Sequence, residues 1–182
     1  MEAGLLPRFF ERVTRRVFDD LALDDLPVAR YLTDLLTRFA RTEALYSVHS
    51  LVGRRLDTVV DSLLEIQRAW QWGSPDFDPG QELTLRRHIG DYTLFMTGIF
   101  RQHVERMAAV SHYEAQGRRA YRFVSEKSRA GGQPDAPLFR RLSEHFEKYS
   151  GALAYMRAVY FRADRLPWSA PPGAFFSRHI LP

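Results

Sequence analysis

The sequence predicts an all-α fold, a single bundle of five or six helices packed around one buried central helix. Apolar residues recur at spacings of three and four through most of the chain, as they do along one side of a helix. No segment shows the alternation of apolar and polar residues that is typical of a strand. Between Asp91 and Arg101 every residue is uncharged, which indicates a helix surrounded by other helices on all sides.

The composition is that of one compact domain. The chain has 182 residues, of which 45% are hydrophobic and 26% charged. It contains no cysteine, which excludes disulfides, zinc–cysteine sites, iron–sulfur clusters and cysteine nucleophiles. It shows neither a signal-peptide pattern nor the roughly 20 apolar residues in a row that cross a bilayer. We expect a cytoplasmic protein without membrane insertion, with a bundle domain at 1–165 and an extended tail at 166–182.

The first half of the chain predicts three amphipathic helices. The first covers about 5–20. The second follows Asp25, whose carboxylate can cap it, and Pro27 fits its first turn. The third covers about 56–70, and its apolar residues again recur at helical spacing.

The second half predicts three more helices. The central helix is expected over about 81–107. A capping-box pattern, Ser111-His-Tyr-Glu114, predicts the start of a helix that reaches about residue 128. After a Gly- and Pro-containing linker at 130–137, the last long helix is expected over about 137–162, with His145 on its inner, apolar side.

The central helix carries small residues on one side. Gly90, Thr93 and Thr97 recur at helical spacing, and Gly98 lies beside them. A glycine costs ~1 kcal/mol relative to alanine within a helix, so a neighbouring backbone or a ligand is expected to need the space. The favoured interpretation is tight packing against the next helix, and the alternative is a small pocket beside Gly98, with Met96 in its floor.

The same region resembles a family of uncharacterised bacterial all-helical proteins. The resemblance is carried by GDYTLFMTGIF, continued by RQHVERM and HYEAQGRRAYRFVSE, and by RFARTEALY upstream. It is strongest from about residue 85 to residue 126. It implies a free-standing bacterial helical domain, and it carries over no activity, cofactor or functional residue.

The motifs of several enzyme classes are absent from the sequence. There is no phosphate-binding loop, no dinucleotide-binding glycine motif and no nucleophile elbow. No histidine has a glutamate three residues before it, as helical di-iron proteins require. We therefore favour a protein that is not an enzyme and holds no cofactor.

A ligand site on the central helix is the first alternative. Its candidate residues are His88, Asp91, Met96, Gly98 and His103. A metal held by His88, Asp91 and His103 is a weaker form of this hypothesis, because spacing alone does not align them. The favoured interpretation of His88 and Asp91 is a hydrogen-bonded pair one turn apart.

An anion site is the second alternative. The formal net charge is +4, and arginine carries most of the positive charge. Arg118 and Arg122 share one side of a helix, with Arg129 two turns further on. With Arg86 and Arg87 nearby, such a group can bind phosphate or RNA. The favoured interpretation is salt bridging to acidic residues such as Glu82, so nucleic acid is not the preferred partner.

The tail provides the leading functional hypothesis. Residues 166–182 combine prolines with Trp168, Phe175 and Phe176, a composition suited to docking into a groove at low entropic cost. The favoured interpretation of the tail itself is that it folds back over its own bundle and covers apolar surface, and docking onto a neighbouring subunit or another protein is the alternative. The sequence thus favours a non-enzymatic interaction or assembly protein, with a protein partner or self-association.

Overall fold

Seven helices make up the described part of the chain. The computed structural model describes residues 5–40 and 79–161. The helices are α1 Leu5–Asp20, α2 Leu26–Ala40, α3 Pro79–Gly98, α4 Arg101–Arg106, α5 Val110–Ala130, α6 Ala136–Glu144 and α7 Phe146–Tyr160. These residues contain no strand, so the predicted all-α class is confirmed. The predicted helix at 56–70 and the tail at 166–182 lie outside the described residues.

The first two helices begin where the sequence predicts. The α1 helix covers Leu5–Asp20. The α2 helix begins at Leu26, and the Asp25 carboxylate accepts a hydrogen bond of 3.2 Å from the backbone N–H of Val28, which confirms the predicted cap. The two helices pack against each other, so α2 is covered on its apolar side.

The α3 helix is the centre of the bundle. All of its residues from Ile89 to Gly98 are buried. It packs most extensively against α5, and it also contacts α2 and α7. The prediction that this uncharged segment is shielded on every side is therefore confirmed. None of the described helices is both long enough and apolar enough to cross a membrane.

Two predicted helices are each broken into two. The sequence predicts that the central helix continues to residue 107, but it ends at Gly98, and Phe100 leaves the helical conformation with φ −105° and ψ 26°. The helix predicted over 137–162 breaks at His145, where φ is −114° and ψ is 31°. This break changes the helical phase, so His145 is exposed rather than in the core.

The predicted capping box at Ser111 is also wrong. The α5 helix begins at Val110, and its N-cap is Ala109, which makes no side-chain cap hydrogen bond. The reason is the turn that follows α4, in which Ala108 has a φ of 53° and Ala109 donates its N–H to the carbonyl of Val104. This turn returns the chain to helical geometry before Ser111.

Glycines make the close approach between α3, α5 and α7 possible. A Cβ on Gly117 would overlap the Phe146 ring and lie 2.5 Å from Thr93 Oγ1. A Cβ on Gly98 would overlap the Cβ of Leu153. Tight packing therefore accounts for these residues, and the space directly beside Gly98 is filled by Leu153.

Gly117→Ala should destabilise the fold, whereas Gly151→Ala should not. The added methyl group at Gly117 overlaps two side chains, and overpacking of this kind costs about 1–3 kcal/mol. Gly151 lies in α7 with no atom within 4 Å of an added Cβ, so alanine there should gain up to about 1 kcal/mol. Urea unfolding of the two variants measures both values, and equal stabilities would contradict this packing.

Candidate functional site

The main candidate site is built around Asp91 on α3. Asp91 is the one charged residue among the buried residues that the structure describes, and its exposure is 0%. Burying a carboxylate is costly unless hydrogen bonds and an opposite charge compensate for its missing hydration. The surroundings of Asp91 must therefore supply several donors.

Three donors from two other helices satisfy the Asp91 carboxylate. The Tyr31 hydroxyl on α2 donates to Oδ1 at 2.5 Å, and the Tyr121 hydroxyl on α5 donates to the same oxygen at 2.9 Å. Arg38 Nη2 on α2 donates to Oδ2 at 2.8 Å and forms a salt bridge. The carboxylate thus joins α2, α3 and α5 at one point.

A second arginine completes the site. Arg87 Nε donates a hydrogen bond of 3.3 Å to the Tyr31 hydroxyl. Its guanidinium also lies 5.4 Å from the centre of the Tyr31 ring and 5.3 Å from that of Phe139, within cation–π range. We call Tyr31, Arg38, Arg87, Asp91 and Tyr121 the Asp91 cluster. It contains two guanidinium groups and one carboxylate, and therefore one positive charge in excess.

The tyrosines of the cluster act as hydrogen-bond donors. Burial, and then the negative charge of Asp91, raise the pKa of Tyr31 and the pKa of Tyr121 well above the ordinary value. Burial opposes the charged form of Arg38, but the attraction of Asp91 raises the pKa of this residue overall. Both tyrosines therefore stay protonated and Arg38 stays charged at neutral pH. This chemistry suits binding better than proton transfer.

His88 lies beside the cluster without the partner that the sequence suggests. Its ring centre is 6.0 Å from that of Phe39, and its buried Nε2 has no hydrogen-bond partner among the described residues. The expected hydrogen bond between His88 and Asp91 is not formed, because Tyr31, Tyr121 and Arg38 occupy the carboxylate. Burial lowers the pKa of His88, so the ring is neutral at pH 7.

The other candidate residues of the central helix do not join this site. Gly98 follows Asp91 by seven residues, or roughly 10 Å along the helix axis, and His103 lies on the separate helix α4. Met96 is buried in the core. Within residues 5–40 and 79–161, no group of three His, Asp or Glu side chains has an arrangement that could hold a metal ion.

Arg118 and Arg122 face different surroundings. Arg118 forms a salt bridge with Glu147 of α7, rather than with an acidic residue of its own helix. Arg122 lines an open groove between α5 and α6 with a volume of about 490 Å³. The two arginines therefore do not form the single site that their helical spacing suggests. The predicted docking residues Trp168, Phe175 and Phe176 lie outside the described residues.

Comparisons with protein-family models, with curated proteins and with solved structures found no match to this chain. The resemblance to a bacterial helical family stays a prediction.

The sequence predicts Asp91 of the cluster and His88 beside it, and it indicates Arg87 only in a group with Arg118 and Arg122. His88 and Asp91 are found because a charge at the start of an uncharged helical segment needs a partner. The missed residues are Tyr31, Arg38 and Tyr121. Tyr31 gives a weak signal, since a tyrosine on an apolar stripe has a hydroxyl that needs a partner when buried.

Tyr31→Phe and Tyr121→Phe should each destabilise the protein by about 1.5–3 kcal/mol, because each removes a hydrogen bond to a buried charged group. Tyr160→Phe is the matched control, since this tyrosine donates to Asp20 at an exposed position. Chemical denaturation of the three variants makes the comparison. If Tyr31→Phe were as stable as Tyr160→Phe, the Asp91 carboxylate would not need its donors.

The burial of His88 predicts a stability loss in mild acid. Burial lowers the folded-state pKa of His88, with Asp91 opposing this effect and Arg38 adding to it, so the unfolded chain binds the proton more readily. The contribution of neutral His88 is therefore complete above the unfolded pKa of about 6.5 and is lost as the pH falls through the lower folded value. A His88→Leu variant should lose stability less steeply than the parent below pH 6.5, while the two curves run parallel above pH 7. Parallel curves at every pH would contradict this.

Proposed function

We propose that this protein binds a small molecule through an anionic group, a carboxylate or a phosphate, which Arg38 and Arg87 hold at the Asp91 cluster. One observation carries the proposal: the cluster contains two guanidinium groups and a single buried carboxylate, and both guanidinium groups reach the surface. The Arg38 side chain is 45% exposed, and Arg87 is exposed as well. The excess positive charge therefore lies where an anion from solution can reach it.

The two arginines have donors left for a ligand. A guanidinium carries five N–H donors in a fixed plane. Arg38 uses Nη2 for Asp91, and Arg87 uses Nε for Tyr31. Among the described residues, these bonds leave most of the N–H groups without an acceptor. Planar donors of this kind bind carboxylates and phosphates in a bidentate manner.

The cluster also holds its arginines in place before a ligand arrives. Arg87 is restrained by a hydrogen bond to Tyr31 and by the rings of Tyr31 and Phe139. These contacts orient the guanidinium without neutralising its charge. Pre-organisation of this type improves affinity, because less conformational freedom is lost on binding.

His88 supplies a second reason to place a ligand here. Its Nε2 is buried without a partner among the described residues, and an unsatisfied buried nitrogen is an unfavourable feature of a fold. The neutral ring can donate to a ligand or accept from it, according to its tautomer.

Binding accounts for the cluster better than the other functions that the sequence leaves open. Both tyrosines hold their protons because their pKa values are raised, and the Asp91 carboxylate already accepts three hydrogen bonds, so we assign no catalytic step. An interaction or assembly role through Trp168, Phe175 and Phe176 stays a prediction, because the tail lies outside the described residues.

Arginine side-chain NMR tests the proposed function. Acetate and inorganic phosphate, titrated separately into the full chain, should shift the Nε signals of Arg38 and Arg87 in a saturable way. Arg87→Gln should weaken binding by about tenfold, the loss of one charge-assisted contact. The fold should survive, since Arg87 bonds to Tyr31 and not to Asp91.

Arg119→Gln is the matched control. Arg119 is an exposed arginine of α5 outside the Asp91 cluster, and its replacement should affect neither titration. The proposal fails if both anions shift Arg119 as much as Arg87, or if Arg87→Gln titrates like the parent. Unfolding curves of both variants show whether each one is folded in the assay.

A further inference from the structure

A second group of arginines lines the groove between α5 and α6. Arg122 and Arg129 on α5 and Arg140 on α6 lie along this groove, which has a volume of about 490 Å³. The size is within the range of small-molecule sites. No residue of the groove belongs to the Asp91 cluster, so a ligand here would be independent of an anion bound at that cluster.

The walls of the groove are held at a fixed separation. Near one end, the Ser125 hydroxyl on α5 donates to the carbonyl of Ala136 at 2.9 Å. Further along, the Ser143 hydroxyl on α6 donates to the carbonyl of Arg118 at 2.9 Å. Both serines line the groove, so these bonds tie its two helices together. The groove is therefore formed before any ligand binds.

The groove arginines differ from the other arginines of α5 and α6. Arg118 forms a salt bridge with Glu147, and Arg141 forms one with Asp25. In the described part of the chain, no ion pair involves Arg122, Arg129 or Arg140. Three charged groups that could each form bidentate contacts thus surround one opening.

Two carboxylates in the same groove limit the class of ligand. Glu126 and Glu144 also line it, and within the described residues they form no ion pair either. Each follows an arginine of the groove, Arg122 or Arg140, by four residues, a spacing at which a helical pair can form. The groove therefore presents positive and negative groups that are available to a ligand.

We propose that this groove binds a small phosphate monoester that also carries an amine, with the phosphate at Arg122 and Arg140. The ammonium group then contacts one of the two carboxylates, Glu126 or Glu144, which lie one helical turn beyond these arginines in opposite directions along the groove. The arginine fork matches phosphate geometry, and the carboxylates attract the ammonium. An RNA backbone suits the groove less well, because Glu126 and Glu144 repel successive phosphates.

Three probes and three variants of the full chain test this assignment. Phosphoethanolamine carries the phosphate and the amine, ethyl phosphate lacks the amine, and an oligouridylate represents RNA. The Nε signals of Arg122 and Arg140 follow binding in the proteins that keep these residues, and the Nε signal of Arg129, which also lines the groove, follows binding in the variant that lacks both. The variants are Arg122→Gln with Arg140→Gln, Glu126→Gln with Glu144→Gln, and the control Arg119→Gln. Every substituted side chain is exposed, so each variant is expected to fold, and unfolding curves check this.

The parent protein should bind phosphoethanolamine about threefold to fivefold more tightly than ethyl phosphate, the effect of an exposed charge contact. The variant that combines Glu126→Gln with Glu144→Gln should bind the two esters with equal affinity. Loss of both arginines should weaken the binding of either ester by about tenfold or more. Arg119→Gln should behave like the parent.

Three results would overturn the assignment. One is equal affinity of the parent for the two esters. Another is that the variant lacking Arg122 and Arg140 binds the esters with the same affinity as the Arg119→Gln control. The third is that the oligouridylate binds more tightly than either ester, and that its affinity increases when Glu126 and Glu144 are replaced. This result would make the groove a nucleic-acid site.

Discussion

The fold depends on placing one carboxylate where water cannot reach it. Asp91 can be buried in the central helix only because Tyr31 and Arg38 arrive from α2 and Tyr121 arrives from α5. A small rotation of α2 would leave the Asp91 charge unpaired, and a small rotation of α5 would remove one of its hydrogen bonds. Either loss at a buried charge is far less favourable than a gap between apolar side chains at the same place. The cluster therefore fixes the relative alignment of α2, α3 and α5, whereas apolar packing alone would allow several alignments.

Glycines on α3 and α5 make room for side chains of neighbouring helices, among them one that bonds to Asp91. A Cβ on Gly90 would lie 2.7 Å from Tyr121 Cε1, so only glycine leaves room for this ring. The Tyr121 hydroxyl then reaches Asp91, the next residue along α3. At Gly117, the same close approach brings Thr93 of α3 and Phe146 of α7 against α5. The glycines and the buried charge therefore act together. The glycines allow the helices to approach closely, and the hydrogen bonds to Asp91 set the rotation of each helix about its axis.

The sequence predicts elements that depend on local pattern and misses those that depend on distant contacts. Helices α1 and α2, the cap at Asp25 and the burial of the uncharged segment all follow from spacing. The breaks at Gly98 and His145 do not, because apolar periodicity continues on both sides of each break. The partners of Asp91 lie 60, 53 and 30 residues away along the chain, so no local spacing connects them.

Helical spacing also does not predict which arginines form salt bridges. The pairs Arg15–Glu11, Arg86–Glu82 and Arg101–Glu105 form at a separation of four residues. Arg122 and Arg140 each have a glutamate at the same separation and do not pair with it. An exposed pair contributes less than about 1 kcal/mol, so the fold loses little when such a pair stays open. Arginines that stay open at so low a cost keep their donors available to a ligand that offers two charged contacts at once, as we propose for the groove between α5 and α6.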